Sequence, residues 1–159
     1  MTSGVYDNFM VKIMTGQLGA SAMVAANTGG GTFPGVYSML SNGQPTQTLS
    51  TANCEYDHVE SQISATNGYV LGGSAVNTLV PTMTSHVTGI KTNANLVYTT
   101  TQTLTAQWLN LQFALTALTT AANPLMCFLD MGAQSVTSGT LTIAWNSNGI
   151  FTLTVAAAG

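Results

Sequence analysis

Charge is what this sequence has least of. Two lysines (Lys12 and Lys91) and five carboxylates are all the formal charges in 159 residues, 4% of the chain, and arginine is absent. An ordinary soluble domain carries about 25% charged residues. Affinity for a phosphate backbone comes mainly from lysine and arginine. Two lysines far apart in sequence form no basic patch, so nucleic acid is not an expected partner. Long apolar runs are missing too. Mean hydropathy is +0.29, but a spanning helix needs about 20 mostly apolar residues. Thr, Ser, Asn, Gln or Gly interrupts every apolar stretch within a few positions. Aromatics make up 8% and are irregularly placed, which does not supply the girdles of a lipid-facing barrel. No membrane association is expected. The N-terminus has neither the basic nor the apolar region of a secretory signal. The two cysteines, Cys54 and Cys127, show no CxxC spacing. Free buried thiols are the expectation, and neither a metal nor another cofactor is expected.

Uncharged polarity fills the gap. Thr, Ser, Asn and Gln are together more than a third of the chain, and Thr leads. Hydrophobic residues, at 45%, suffice for the core of one domain over residues 1–159. Hydroxyls and amides bond to water or to protein without the charge repulsion that keeps monomers apart. Burying them also avoids the desolvation cost of ions. The composition therefore points to a permanent assembly.

Tyr6, Phe9, Met10, Ile13 and Met14 fall at i, i+3, i+4, i+7 and i+8, which predicts an amphipathic helix within residues 1–15, with Ser3 as N-cap and Gly16 as stop. Its apolar face suits packing on its own sheet or docking on a neighbouring subunit. Residues 27–47 hold a Gly triplet, Pro34, Pro45 and Asn42-Gly43, and read as a loop excursion with a short element near 36–40. No Gly-Lys-Ser/Thr follows the triplet, so it is no phosphate loop. The body, 48–159, reads as short strands. Candidates are 76–80, 87–90, 96–105, 107–115 and 125–131. Within 107–115, Leu109, Leu111, Phe113 and Leu115 face one way and Trp108, Asn110, Gln112 and Ala114 the other. A terminal hairpin is predicted around 146–149, pairing Leu141, Ile143 and Trp145 with Phe151, Leu153 and Val155; Trp145 and Phe151 are expected in the core. The fold class is mainly β, a β-sandwich or jelly roll with a short N-terminal α-helix. The irregular strand spacing argues against a solenoid.

Catalytic chemistry has little to build on. Glu55, Asp57, His58 and Glu60 are the one dense group of ionisable side chains. Read as a strand, it puts Glu55 and Asp57 on one face and His58 and Glu60 on the other. A divalent cation needs several oxygens converging on one point, and a solvated acidic loop or guarded sheet edge fits the pattern better. His86 stands alone. There is no G-x-S-x-G, and Cys127 lies inside an apolar strand, where a thiol is usually inert. Catalytic and metal-ligating residues are therefore expected to be absent, and the chain is read as no enzyme.

Three stretches carry a resemblance. Pro124-Leu125-Met126-Cys127-Phe128-Leu129-Asp130-Met131-Gly132, followed by residues 140–154, is similar to the ending "I-x-Y-I-D-F-G … F-T-I-x-W-x-x-x-G-I-L-T-L" of small structural proteins of tailed bacteriophages. Residues 60–73 resemble that group's "E-x-x-G-x-G-Y-x-x-G-G", and Val5-Tyr6-Asp7-Asn8-Phe9 its "L-Y-N-x-F" start. The likeness touches roughly half the chain in the right order. The chain departs from the pattern in a longer Gly-rich 27–47 region and in lacking a basic residue after Trp108.

The resemblance implies a virion component, read as a capsid decoration or cement protein on the capsid exterior. It would bridge capsomers of the major capsid protein and associate with itself as a homo-oligomer. Tyr6, Phe9, Met10 and Ile13 on the helix, and Phe33, Val36 and Tyr37 in the loop region 29–43, are the expected contact residues. Removing residues 1–15 is then expected to weaken capsid binding without unfolding the sheet. A tail or neck component has the same composition. A carbohydrate-binding module would use Trp108 or Tyr69 as a stacking platform.

Overall fold

A computed structural model describes residues 3–14, 34–45, 55–65, 68–76, 79–84, 87–92, 94–145 and 150–154. The described residues are mainly β with one short α-helix. In order, it forms β1 (Ser3–Val5), α1 (Asp7–Met14), β2 (Gly35–Ser41), β3 (Ser74–Ala75), β4 (Leu79–Thr84), β5 (Val87–Thr92), β6 (Leu96–Ala114), β7 (Leu125–Ile143) and β8 (Phe151–Thr154). All described pairings are antiparallel. One sheet runs β1-β7-β6-β2-β3 and a second runs β4-β5-β8.

The long strands β6 and β7, 19 residues each, dominate the first sheet. Their sequence changes character half-way. From Leu96 to Ala106, side chains alternate: Leu96, Tyr98, Thr100, Leu104 and Ala106 are buried, while Val97, Thr99, Thr101, Thr103 and Thr105 are exposed. From Trp108 to Ala114 every residue is buried, because this half is central and covered on both faces. The two halves also fold over one another. Thirteen residue-to-residue steps of straight strand, from Tyr98 to Leu111, would span about 43 Å. Yet the Tyr98 hydroxyl donates to the Ser38 carbonyl (2.9 Å) and lies 2.6 Å from the Ser38 Oγ, and Ser38 pairs with Leu111. Register shifts between Thr100 and Thr103 and between Ala106 and Trp108 provide the bends, since bulges kink and twist a strand. On β7, Gly132 (φ 67°) and Ser138 (φ 49°) take left-handed conformations. The ribbon thus supplies two layers from one pair of strands, an arrangement compatible with a sandwich.

Three expectations are corrected. Ser3 is no N-cap: it lies in β1, pairing with Leu129, and the helix begins at Asp7. The short element expected near 36–40 is present as strand β2, but it belongs to the sheet and is buried along its whole length rather than forming part of a loop excursion. It shows no polar alternation because both its faces are covered. Among the described residues the terminal hairpin does not form. Leu141 and Ile143 pair with Tyr98 and Leu96, while Phe151 pairs with Ile90 in the other sheet. Residues 146–149, the predicted turn, lie outside the described residues.

Candidate functional site

The half of the β6/β7 ribbon nearest Leu96 and Ile143 presents an outward face of uncommon composition. Directly opposed pairs include Val97 with Thr142, Thr99 with Thr140, Thr103 with Thr137, and Thr105 with Ser135. All eight side chains are exposed. Period-2 alternation brings them there: Leu96, Tyr98, Leu104 and Ile143 claim the core side, which leaves the Thr and Ser positions outward. The hydroxyls lock across the strands. Thr103 Oγ1 lies 3.0 Å from Thr137 Oγ1, Thr105 Oγ1 lies 3.4 Å from Ser135 Oγ, and Ser138 Oγ donates to the Thr101 carbonyl (2.8 Å). At the bulge an open hollow of about 440 Å³ is lined by Thr99, Thr100, Thr101, Ser138, Gly139 and Thr140. From Leu96 to Ile143 the sequence has one formally charged side chain, Asp130, and its carboxylate accepts the Gly132 N–H (2.9 Å). The ribbon therefore offers methyls and hydroxyls over a broad, charge-free face. Such a surface can adhere by close packing and short hydrogen bonds.

The expected contact residues lie elsewhere. Tyr6 (2% exposed), Phe9 (0%), Val36 (0%) and Tyr37 (3%) are consumed by the core of the chain itself. The Tyr6 ring meets Phe128 edge-on at 5.3 Å, and Phe128 meets Trp108 at 6.0 Å. The sheet supplies the cover that a partner was expected to give. Met10 and Ile13 are half-buried against the same core, and Phe33 lies outside the described residues. The helix face is thus a packing face of this fold. The carbohydrate-platform reading meets the same correction: Trp108 (4%) and Tyr69 (5%) are buried, so neither ring is open to stack on a sugar.

The acidic group is not a strand. Glu55 forms an isolated bridge with Pro124, and Tyr56–His58 is a single 3₁₀ turn, so the two-face placement of Glu55, Asp57, His58 and Glu60 does not hold. Glu55 pairs with Lys12 at 3.7 Å, fastening the turn to α1. Asp57 and Glu60 are exposed. Among the described residues, no group of three or more His, Cys, Asp or Glu is arranged to hold a metal ion, and no helix is long and apolar enough to cross a membrane. Cys127 is a free, buried thiol, and burial pushes its pKa up from 9.0 to about 12. Cys54 and His86 lie outside the described residues.

Polar side chains buried in the sheet are structural clamps. Gln112 Nε2 donates to the carbonyls of Gly72 and Leu118 (both 2.9 Å). Asn123 Nδ2 donates to Gln112 Oε1 (3.1 Å) and the Ala117 carbonyl (2.8 Å), while Asn123 Oδ1 accepts the Leu115 N–H (3.1 Å). These two amides hold the loop joining β6 to β7.

Comparison with known proteins finds no match among family models, curated proteins or solved structures. The threonine face was not among the expected site residues. The signal for it was in the sequence: Thr at 99, 101, 103 and 105, and at 140 and 142, alternating with residues the core takes.

Proposed function

We propose that this chain is a non-enzymatic structural protein of a bacteriophage virion, a decoration (cement) protein that binds the major capsid protein on the outer head surface. The observation that carries the reading is the charge-free threonine face of the β6/β7 ribbon. A surface of that kind gives a free monomer little of the charge repulsion that keeps proteins apart. Against another protein, its hydroxyls are desolvated far more cheaply than ions would be. Weak contacts repeated over a symmetric shell add up through avidity. The order of the Val5–Phe9, 60–73 and 124–154 motifs supports the same reading. It needs no cofactor, nucleic acid or membrane, and it includes association of the chain with itself.

Cryo-electron microscopy of intact particles, with copy number from quantitative mass spectrometry, tests this. The expected result is density for the chain spread over the head exterior at capsomer junctions. Density confined to one ring of the neck or tail would replace the cement role with a tail or neck role. Absence from purified particles would overturn the virion reading altogether.

A further inference from the structure

The β6/β7 ribbon has two long sides, and the fold treats them differently. Beside β6, Asn42 Nδ2 donates to the Thr105 carbonyl (3.2 Å). The Gly68 backbone also approaches the Thr99 carbonyl so closely that a Cβ would collide with it. Beside β7, β1 pairs with Cys127, Phe128 and Leu129. Immediately beyond, side chains satisfy the backbone: Asp130 Oδ1 accepts the Gly132 N–H (2.9 Å), and Gln134 Nε2 donates to the Met131 carbonyl (2.8 Å). From Ser135 to Ile143, no described residue hydrogen-bonds to the backbone on the side of β7 away from β6. The left-handed Ser138 interrupts this edge and leaves residues 139–143 as one regular stretch, in register with Thr100 through Leu96. It contains no lysine, carboxylate or proline, the devices with which edge strands block further pairing.

We propose that residues 139–143 pair antiparallel with the same residues of a second copy of the chain, about a two-fold axis at Leu141. The proposal rests on the self-association part of the functional reading and is independent of where in a particle the chain sits. Three observations favour a second copy as the occupant. An antiparallel edge is self-complementary, since the N–H and C=O groups it exposes satisfy their own equivalents across a two-fold. An axis at Leu141, the midpoint, uses all five residues and sets Thr140 opposite Thr142 of the second copy. Both residues are exposed on the outer face, and Thr–Thr pairs stabilise neighbouring strands. Finally, self-apposition brings no charge against its own image, because Asp130, the one formal charge on β7, lies at the far end of the strand.

The test is light scattering coupled to size exclusion on the full chain over a concentration series. It compares the native protein with Thr140→Lys/Thr142→Lys and with Thr101→Lys/Gln102→Lys, the latter exposed on β6 away from the edge. The native chain is expected to pass from monomer to dimer as concentration rises. The edge variant, which puts two ammonium pairs across the axis, is expected to dimerise at least roughly tenfold more weakly, and the β6 variant to match the native chain. A native chain that stays monomeric, an edge variant that dimerises normally, or a β6 variant weakened equally would each overturn the proposal. Amide hydrogen exchange of the native protein decides the matter should the edge variant fail to fold. Protection at 139–143 is expected to rise with concentration, and concentration-independent exchange there overturns it. Dimerisation in solution without incorporation into particles would remove the virion reading and leave this one, and the reverse outcome would do the opposite.

Discussion

The phenol of Tyr6 donates a 2.9 Å hydrogen bond to Oδ1 of Asn110, 104 residues further along the chain. Asn110 passes the connection on, its Nδ2 donating to Ser41 Oγ at 2.9 Å. All three residues are buried, so the N-terminal segment, β6 and β2 are tied together inside an apolar environment. There an unpaired acceptor costs more than the bond itself contributes. Tyr6→Phe keeps the ring and removes the donor. It should lower stability by about 1–3 kcal/mol, read as a lower urea midpoint with an unchanged slope.

The helix is expected to behave as core. Phe9 is fully buried, and Phe9→Ala should cost about 3–5 kcal/mol, a large share of the stability of a domain this size. Val11, 52% exposed on the same helix, is the control, and Val11→Ala should stay within about 0.5 kcal/mol. Removing residues 1–15 takes away β1, Tyr6 and Phe9 together. The truncated chain should therefore lose cooperative thermal unfolding, whereas a docking helix would leave the sheet's melting intact.

Two glycines separate conformational strain from steric collision. Gly73 (φ 93°) lies against β2, where a Cβ would run into the Ser38 carbonyl oxygen. Gly132 (φ 67°) bends β7 in open space, its nearest neighbour being Gln134 Nε2 at 4.0 Å. Gly132→Ala should cost only the left-handed penalty, about 1–2 kcal/mol. Gly73→Ala adds overpacking against backbone and should cost about 2–5 kcal/mol. Differential scanning calorimetry of the two variants should show a clearly larger fall in Tm for Gly73→Ala.

Alkaline pH should unfold the chain. Burial raises the Cys127 thiol from 9.0 to about 12. Burial also raises the Tyr98 and Tyr69 phenols above 10.0, with the Ser38 bond to Tyr98 and the Gln62 and Leu40 bonds to Tyr69 opposing it in part. Each group is neutral in the native state and ionises more readily once unfolded. Their contribution is complete below the unfolded pKa values and is lost as pH rises. Tm should hold steady to about pH 9 and then fall steadily towards pH 12, and Cys127→Ala should flatten the first part of that fall. A thiol reagent at pH 8 should modify Cys127 only after denaturation.

Much of the β pattern was legible. The Thr-rich run from Leu96 and the compact apolar run from Leu125 marked real strands, because one face meets water or the segment is uniformly apolar. The helix was legible from its spacing, but its role was not. Periodicity shows that Tyr6 and Phe9 share a face without showing what covers it. The same ambiguity left β2 as only a short element within a loop, because its Val36-Tyr37-Ser38-Met39-Leu40 run lost its alternation to double burial. The terminal hairpin failed for a non-local reason. The pattern around Asn148-Gly149 fitted a turn, but Phe151 pairs with Ile90 in the other sheet, and no local signal records a partner 61 residues upstream. The threonine face was visible as composition, yet only the bent ribbon assembles residues near 100 and near 140 into one surface.

The pairing of Ser3 with Leu129 has a consequence for how the chain is made. Once made, β1 must wait for 126 further residues before its neighbour exists. At about 5–20 residues per second, that delay is roughly 6–25 s. Meanwhile Tyr6 and Phe9 have emerged without the sheet that buries them. Synthesis speed, and whatever shields that apolar stretch on the nascent chain, therefore bears on how much of this protein reaches its native form.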